Sequence, residues 1–221
     1  MALGCATPAA LFRIAEARHY NPMQLEFRVF ELLASRLCHD LISPVGAINN
    51  GVELMGEKDA DFAKDAAALI AQSARRAGYR LQFYRFAYGA GGAGGGAPVP
   101  KDLIAGMVEG GKVACLWPSA FDALPVEWQK LACNLALLAV ELLPRGGKVT
   151  LSGKDKNIEA IAEGESVNLT PEMKAALAPA AGVADLTART IHGYFTARYA
   201  EQLGAKLSLA EAHKRAVFKV G

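Results

Sequence analysis

Apolar residues recur by threes and fours from Phe30 through Leu33, Leu37, Leu41, Val45, Ile48 and Val52 to Met55, the spacing of one buried stripe on a long helix. A stripe of that length needs a partner along all of it. The run from about Asp59 to Tyr88 supplies one, with Phe62, Ala66, Leu69, Ser73, Ala77, Leu81 and Tyr84 on its inward side. Only Gly56-Glu57-Lys58 separates it from the first helix, expected over about Gln24 to Met55, and so short a connection dictates an antiparallel hairpin. The inward set of the second helix is partly small, which lets the helices approach closely in the middle. Two helices cannot bury both stripes alone, so a second copy is expected to complete a four-helix bundle as a homodimer.

His39 lies in the first helix, within His39-Asp40-Leu41-Ile42-Ser43-Pro44. At about 100° per residue it falls roughly 170 to 180° from the centre of the apolar stripe. Its neighbours one turn away, Ser35, Arg36, Ser43 and Gly46, are small or polar and leave the imidazole open. An exposed helical histidine with an acid beside it is a candidate nucleophile. Pro44 has no N–H to give the carbonyl of Asp40, so that carbonyl is expected to lack an intrahelical partner and the helix to loosen there.

Gly89 to Pro100, almost wholly glycine, alanine and proline, reads as a flexible linker. A phosphate-binding loop would need a following Lys-Ser or Lys-Thr and a preceding strand, and neither occurs. The chain thus divides into an alanine-rich extension at 1–22, a helical hairpin for dimerisation at 23–88, the linker at 89–100 and a second domain at 101–221. In that domain Lys112 to Trp117, Lys148 to Ser152 and Ile158 to Ala162 read as strands, Val126 to Leu143 and Leu186 to Leu203 as helices, and Lys206 to Leu209 with Ala216 to Val220 as a closing hairpin. The fold class is α+β: a helical hairpin joined to an α/β sandwich, whose mixed, largely antiparallel sheet carries helices on one face.

With 221 residues, 52% of them hydrophobic, and a net charge of +2, the chain is long enough for two cored domains and is not markedly basic. Nucleic acid is not expected as a partner, and Arg75, Arg76, Arg80 and Arg85 read as one solvated helix face. No apolar run is long enough for a membrane span and no signal-peptide pattern opens the sequence, so a cytoplasmic location is expected. Cys5, Cys38, Cys115 and Cys133 show neither disulfide nor zinc spacing, and a packed thiol is the reading for Cys38.

From His39 to Met55 the sequence resembles the phosphoacceptor helix of two-component histidine kinases: His39, Asp40, Leu41, two variable positions, Pro44, then Val45, Ile48, Gly51, Glu53, Leu54 and Met55. Asn134 to Val149, with its Pro-x-Gly-Gly turn at Pro144 to Gly147, resembles the first nucleotide motif of the kinase ATPase domain. The asparagine that holds magnesium in those kinases is replaced by Leu138, which cannot ligate a hard cation. Between Val167 and Thr190 neither the adenine motif nor the glycine-rich lid appears, and Asp185-Leu186-Thr187 stands where a glycine run is expected. ATP binding and autophosphorylation are therefore not expected.

This combination over about residues 24 to 221 is similar to the ChpT family of alphaproteobacterial histidine phosphotransferases. The resemblance implies a homodimer with a degenerate, Bergerat-type ATPase-like domain. It implies that His39 accepts a phosphoryl group from the receiver aspartate of a CckA-like hybrid kinase and passes it to CtrA-like and CpdR-like response regulators in cell-cycle control. His39 and Asp40 would be the catalytic pair, and Arg36, Ser43, Ala47, Asn50, Gly51 and Leu54 the docking surface, with Asn50 on the His39 side and Leu54 off it. No bound cofactor is expected, since the Mg2+ would come with the receiver. The competing reading is a dimeric scaffold that sequesters a receiver without chemistry. Arg145, Lys148, Arg189, Arg198 and Lys206 read as surface charge, and His192 as a packed histidine.

Overall fold

The computed structural model describes residues 27–56, 60–89 and 99–221. The extension at 1–22, with Cys5 and His19, most of the linker and the hairpin tip at 57–59 lie outside the described residues. Helix α1 runs Phe27–Leu54 and α2 runs Ala60–Tyr88, within a few residues of the expected limits. Gly51 meets Ala66 and Ile70, whereas Asp40 meets Arg80 and Tyr84, which is the pairing of an antiparallel hairpin. A Cβ on Gly51 would stand 2.6 Å from Ile70 Cγ1 and 3.2 Å from the carbonyl of Ala66. The close approach therefore depends on glycine and sits nearer the hairpin tip than the middle.

The apolar stripe is not one buried face. Leu33, Leu37, Leu41 and Ile48 are half-buried, but Phe30 is 60% exposed and Val52 58%, and Val45 and Met55 are exposed too. The reason is that α1 faces several ways. Pro44 and Gly51 are buried, Gly51 against Ala66 and Ile70 of α2, while Val29 and Leu32 pack with Ala176, Leu186 and Ile191 of the second domain. Leu33 and Leu37 pack at the edges of the two cores, and Phe30, Val45, Val52 and Met55 are left exposed among the described residues.

The second domain begins with α3, Pro100–Val108, which the sequence reading left unassigned. It continues through β1 (Val113–Leu116), α4 (Val126–Glu141), β2 (Gly147–Lys154), β3 (Asn157–Glu163), α5 (Pro171–Leu177), α6 (Ile191–Gln202), β4 (Leu207–Ala212) and β5 (Arg215–Val220). The five strands lie in the order β1-β2-β3-β5-β4, with β1 parallel to β2 and every other pair antiparallel. This is the expected mixed, largely antiparallel sheet. Its inner face alternates in period two through Val149 and Leu151, Ile158, Ala160 and Ala162, and Ala216, Phe218 and Val220, all buried. Against it lies α4, buried from Leu131 to Ala139, as a helix that is apolar all round must be.

Helix α5 also went unread. Thr170 caps it by accepting from the Met173 N–H at 3.3 Å, and Pro171 occupies its first turn, a start signal that Thr-Pro-Glu carries in sequence. Helix α6 starts at Ile191 rather than Leu186, because the N–H of Thr187 donates to Thr190 Oγ1 at 3.0 Å and folds that segment into a turn. Leu186 instead becomes part of the pad on which α1 rests.

Candidate active site

His39 stands out from α1 with 85% of its side chain exposed. Its phase on the helix produces this, since the faces toward α2 and the second domain are taken by other residues. Its Nδ1 lies 3.3 Å from Asp40 Oδ1. A carboxylate only accepts, so Nδ1 carries the proton that joins them, and in the neutral ring Nε2 is then the lone-pair nitrogen.

Asp40 is fixed at each of its oxygens. Tyr84 Oη donates to Oδ2, and Arg36 Nε stands 3.7 Å from the same atom. Burial and the bond to Asp40 together push the Tyr84 hydroxyl well above its ordinary range, so it stays a donor. The main-chain carbonyl that Pro44 leaves without a helical donor receives Arg80 Nη1 from α2. The expected gap in the helix is therefore filled from across the hairpin, and α1 continues unbroken to Leu54. One arginine of the basic run thus has a fixed place beside the histidine, as the solvated-face reading did not foresee.

Arg36 leads from the site into the second domain. Its Nη2 donates to Glu141 Oε1 at the end of α4, and its Nη1 to the carbonyl of Ala188 at 3.4 Å. Burial works against the charge on this guanidinium, but Glu141 and Asp40 outweigh it and raise its pKa above the ordinary value. Only 12% of the side chain is exposed. Glu141 in turn faces His192 Nδ1 at 3.2 Å, and His192 Nε2 faces Asn134 Oδ1 at 3.2 Å. His192 is fully buried, as a packed histidine should be. Asn134 is oriented by donating from Nδ2 to the carbonyls of Ala87 and Lys130, at 3.2 and 2.9 Å.

The expected docking residues divide. Ser43 and Asn50 are exposed on the His39 side of α1, and Ala47 is half-buried beside them. Leu54 is 41% exposed and, fifteen residues on, comes within about 60° of His39 around the helix; placing it off that side was an error of phase. Gly51 points away, buried against α2, and Arg36 is turned toward Glu141. Cys38 is exposed rather than packed. Sequence reading missed Tyr84, Arg80, Glu141, His192 and Asn134 as parts of one constellation. Only their separate memberships in helix faces and motifs were visible.

Leu138 is fully buried in the apolar core, with Gly193 of α6 beside it. Among the described residues no group of three His, Cys, Asp or Glu side chains is placed to hold a metal. No helix among them is long and apolar enough to cross a membrane.

Residues 100–215 match the family described as the histidine phosphotransferase C-terminal domain. The protein phosphotransferase ChpT of Brucella abortus (strain 2308) is 37% identical over 194 residues, which cover 85% of this chain and 92% of that protein. A solved structure of a bacterial phosphotransferase is similar with a TM-score of 0.69 at 32% identity, covering 89% of this chain and 97% of that one. Likeness in sequence and fold over most of the chain thus accompanies an exposed histidine held by a carboxylate, and the chain belongs to the ChpT family of histidine phosphotransferases.

Proposed function

We propose that the chain is a phosphorelay intermediate. His39 accepts a phosphoryl group from the aspartyl phosphate of a CckA-like hybrid-kinase receiver and passes it to the receiver aspartates of CtrA-like and CpdR-like response regulators. The observation that carries this reading is the His39–Asp40 contact on an exposed imidazole, which in the neutral ring makes Nε2 the lone-pair nitrogen. Nε2 attacks phosphorus, an N–P bond forms as the P–O bond to the donor carboxylate breaks, and that carboxylate leaves as the anion. Nδ1 keeps its proton, and Asp40, accepting the hydrogen bond from it, stabilises the positive charge that develops on the ring. Onward transfer is the same step reversed on a second receiver. The magnesium that screens the phosphoryl oxygens belongs to the receiver's acidic pocket.

Leu138 at the magnesium position supports a chain that takes no phosphate from ATP. One labelling experiment separates these sources. A pre-phosphorylated receiver is expected to label the wild type but not His39→Ala, and labelled ATP with magnesium is expected to label neither. Label from ATP alone would overturn the relay reading in favour of a kinase, and equal label on His39→Ala would move the acceptor elsewhere.

The exposed part of the apolar stripe supports a homodimer. Phe30, Val45, Val52 and Met55 of α1 are all exposed, and each lies about 120° or more around the helix from His39. Pairing this face with a second copy buries it and leaves the histidine open. Val45→Glu combined with Val52→Glu is expected to give the mass of one chain by light scattering where the wild type gives two. A wild type that scatters as one chain would refute the dimer.

A further inference from the structure

The domain that carries no phosphoacceptor reaches His39 through one line of buried and part-buried polar groups. Asn134 and Glu141 of α4 hold His192 of α6 between two oxygens, each 3.2 Å from a ring nitrogen. Glu141 uses the same Oε1 to accept from Arg36. Arg36 stands one helical turn before Asp40 and presents its Nε to Oδ2 at 3.7 Å. That Nε is buried and has no hydrogen-bond partner, so the guanidinium is held back from Asp40 by its stronger engagement with Glu141. Beside this line runs an aromatic one. Tyr84 stacks on Tyr88 with ring centres 5.6 Å apart, and Tyr88 meets His192 in a T-shaped contact at 5.9 Å. Both lines end on His192.

We propose that Glu141, fixed by His192, is a positioning residue for phosphoryl transfer, acting through Arg36 on the Asp40 carboxylate. The inference rests on the reading of His39 as the acceptor. Arg36 is a cation placed between two carboxylates, and whichever holds it more tightly decides how much of its charge Asp40 feels. With Glu141 ionised, Arg36 is drawn toward α4, and Asp40 keeps its accepting strength for the His39 Nδ1 proton. Without that charge Arg36 closes on Oδ2, the carboxylate weakens as an acceptor, and the tautomer that frees Nε2 is less favoured. Glu141 stands at the end of α4, off the α1 surface that carries Ser43 and Asn50, and the line touches that side of α1 only at Arg36, about 20° around the helix from Ser43.

The test is Glu141→Gln in the full chain, which keeps the size of the side chain and an oxygen for Arg36. The expected result is a fall of about tenfold in the rate of transfer from saturating phosphorylated receiver. The concentration of receiver giving half that rate is expected to stay within about twofold, since uniform binding is unchanged. The 15N shifts of the neutral His39 ring are expected to move toward the tautomer protonated at Nε2. A purely structural role would lower the melting temperature without moving those shifts, and unmoved shifts would overturn the proposal. If Glu141→Gln does not fold, His192→Gln is read in the same two ways. Absence of label on wild-type His39 would instead strike the acceptor reading, while the 15N measurement still decides the positioning.

Discussion

Replacing Asp40 with asparagine is expected to slow transfer through His39 by about 10²- to 10⁴-fold while leaving the fold intact. The reason lies in which groups surround the side chain. Tyr84 Oη and Arg36 Nε both present donors to the Oδ2 position, so the single oxygen of an asparagine is drawn there. Its NH2 then faces His39 Nδ1, which must accept, and the ring proton moves to Nε2. The outward nitrogen loses its lone pair. Single-turnover transfer from a phosphorylated receiver, with circular dichroism to confirm the helices, measures this. A rate within about threefold of wild type would show that Asp40 does not set the tautomer.

Arg36→Met is expected to lower stability by about 3 kcal/mol, because it leaves Glu141 partly buried without its cation. The side chains of Arg36 and Glu141 are only 12% and 18% exposed, so water screens the pair far less than it would a surface ion pair. The same substitution removes the donor to the Ala188 carbonyl and loosens the seat of α1 on the second domain. Urea unfolding followed by tryptophan fluorescence reports the loss, since Trp117 and Trp128 lie in the core of the second domain. A loss under about 1 kcal/mol would mean that Glu141 finds another donor.

The hairpin and the sheet were legible because their signals are local. A period near 3.6 runs through Leu33, Leu37, Leu41 and Ile48, and period two runs through Val149 and Leu151 and through Ala216, Phe218 and Val220. The exposure of His39 followed from phase alone, and the unpaired carbonyl of Asp40 from the missing N–H of Pro44. What filled that carbonyl was not legible. Arg80 is forty residues away, and a single sequence does not say which arginine of a basic run crosses a hairpin. Glu141 and His192 escaped for the same reason, since α4 and α6 reach Arg36 only once the second domain is folded. The partition of the α1 stripe was hidden because spacing shows that a face is apolar and not whether α2, the second domain or another copy covers it. Helices α3 and α5 are short and gain most of their stability from packing, although the Thr-Pro start of α5 was there to read.

On the proposed mechanism Asp40 reserves Nδ1 and thereby makes Nε2 of His39 the phosphoryl carrier. The most direct measurement is 31P and 15N NMR of the 15N-histidine-labelled protein after phosphorylation by a receiver, which locates the N–P bond. Phosphorus coupled to Nε2 of His39 is the predicted result. Phosphorus on Nδ1, or on any other residue, would contradict it.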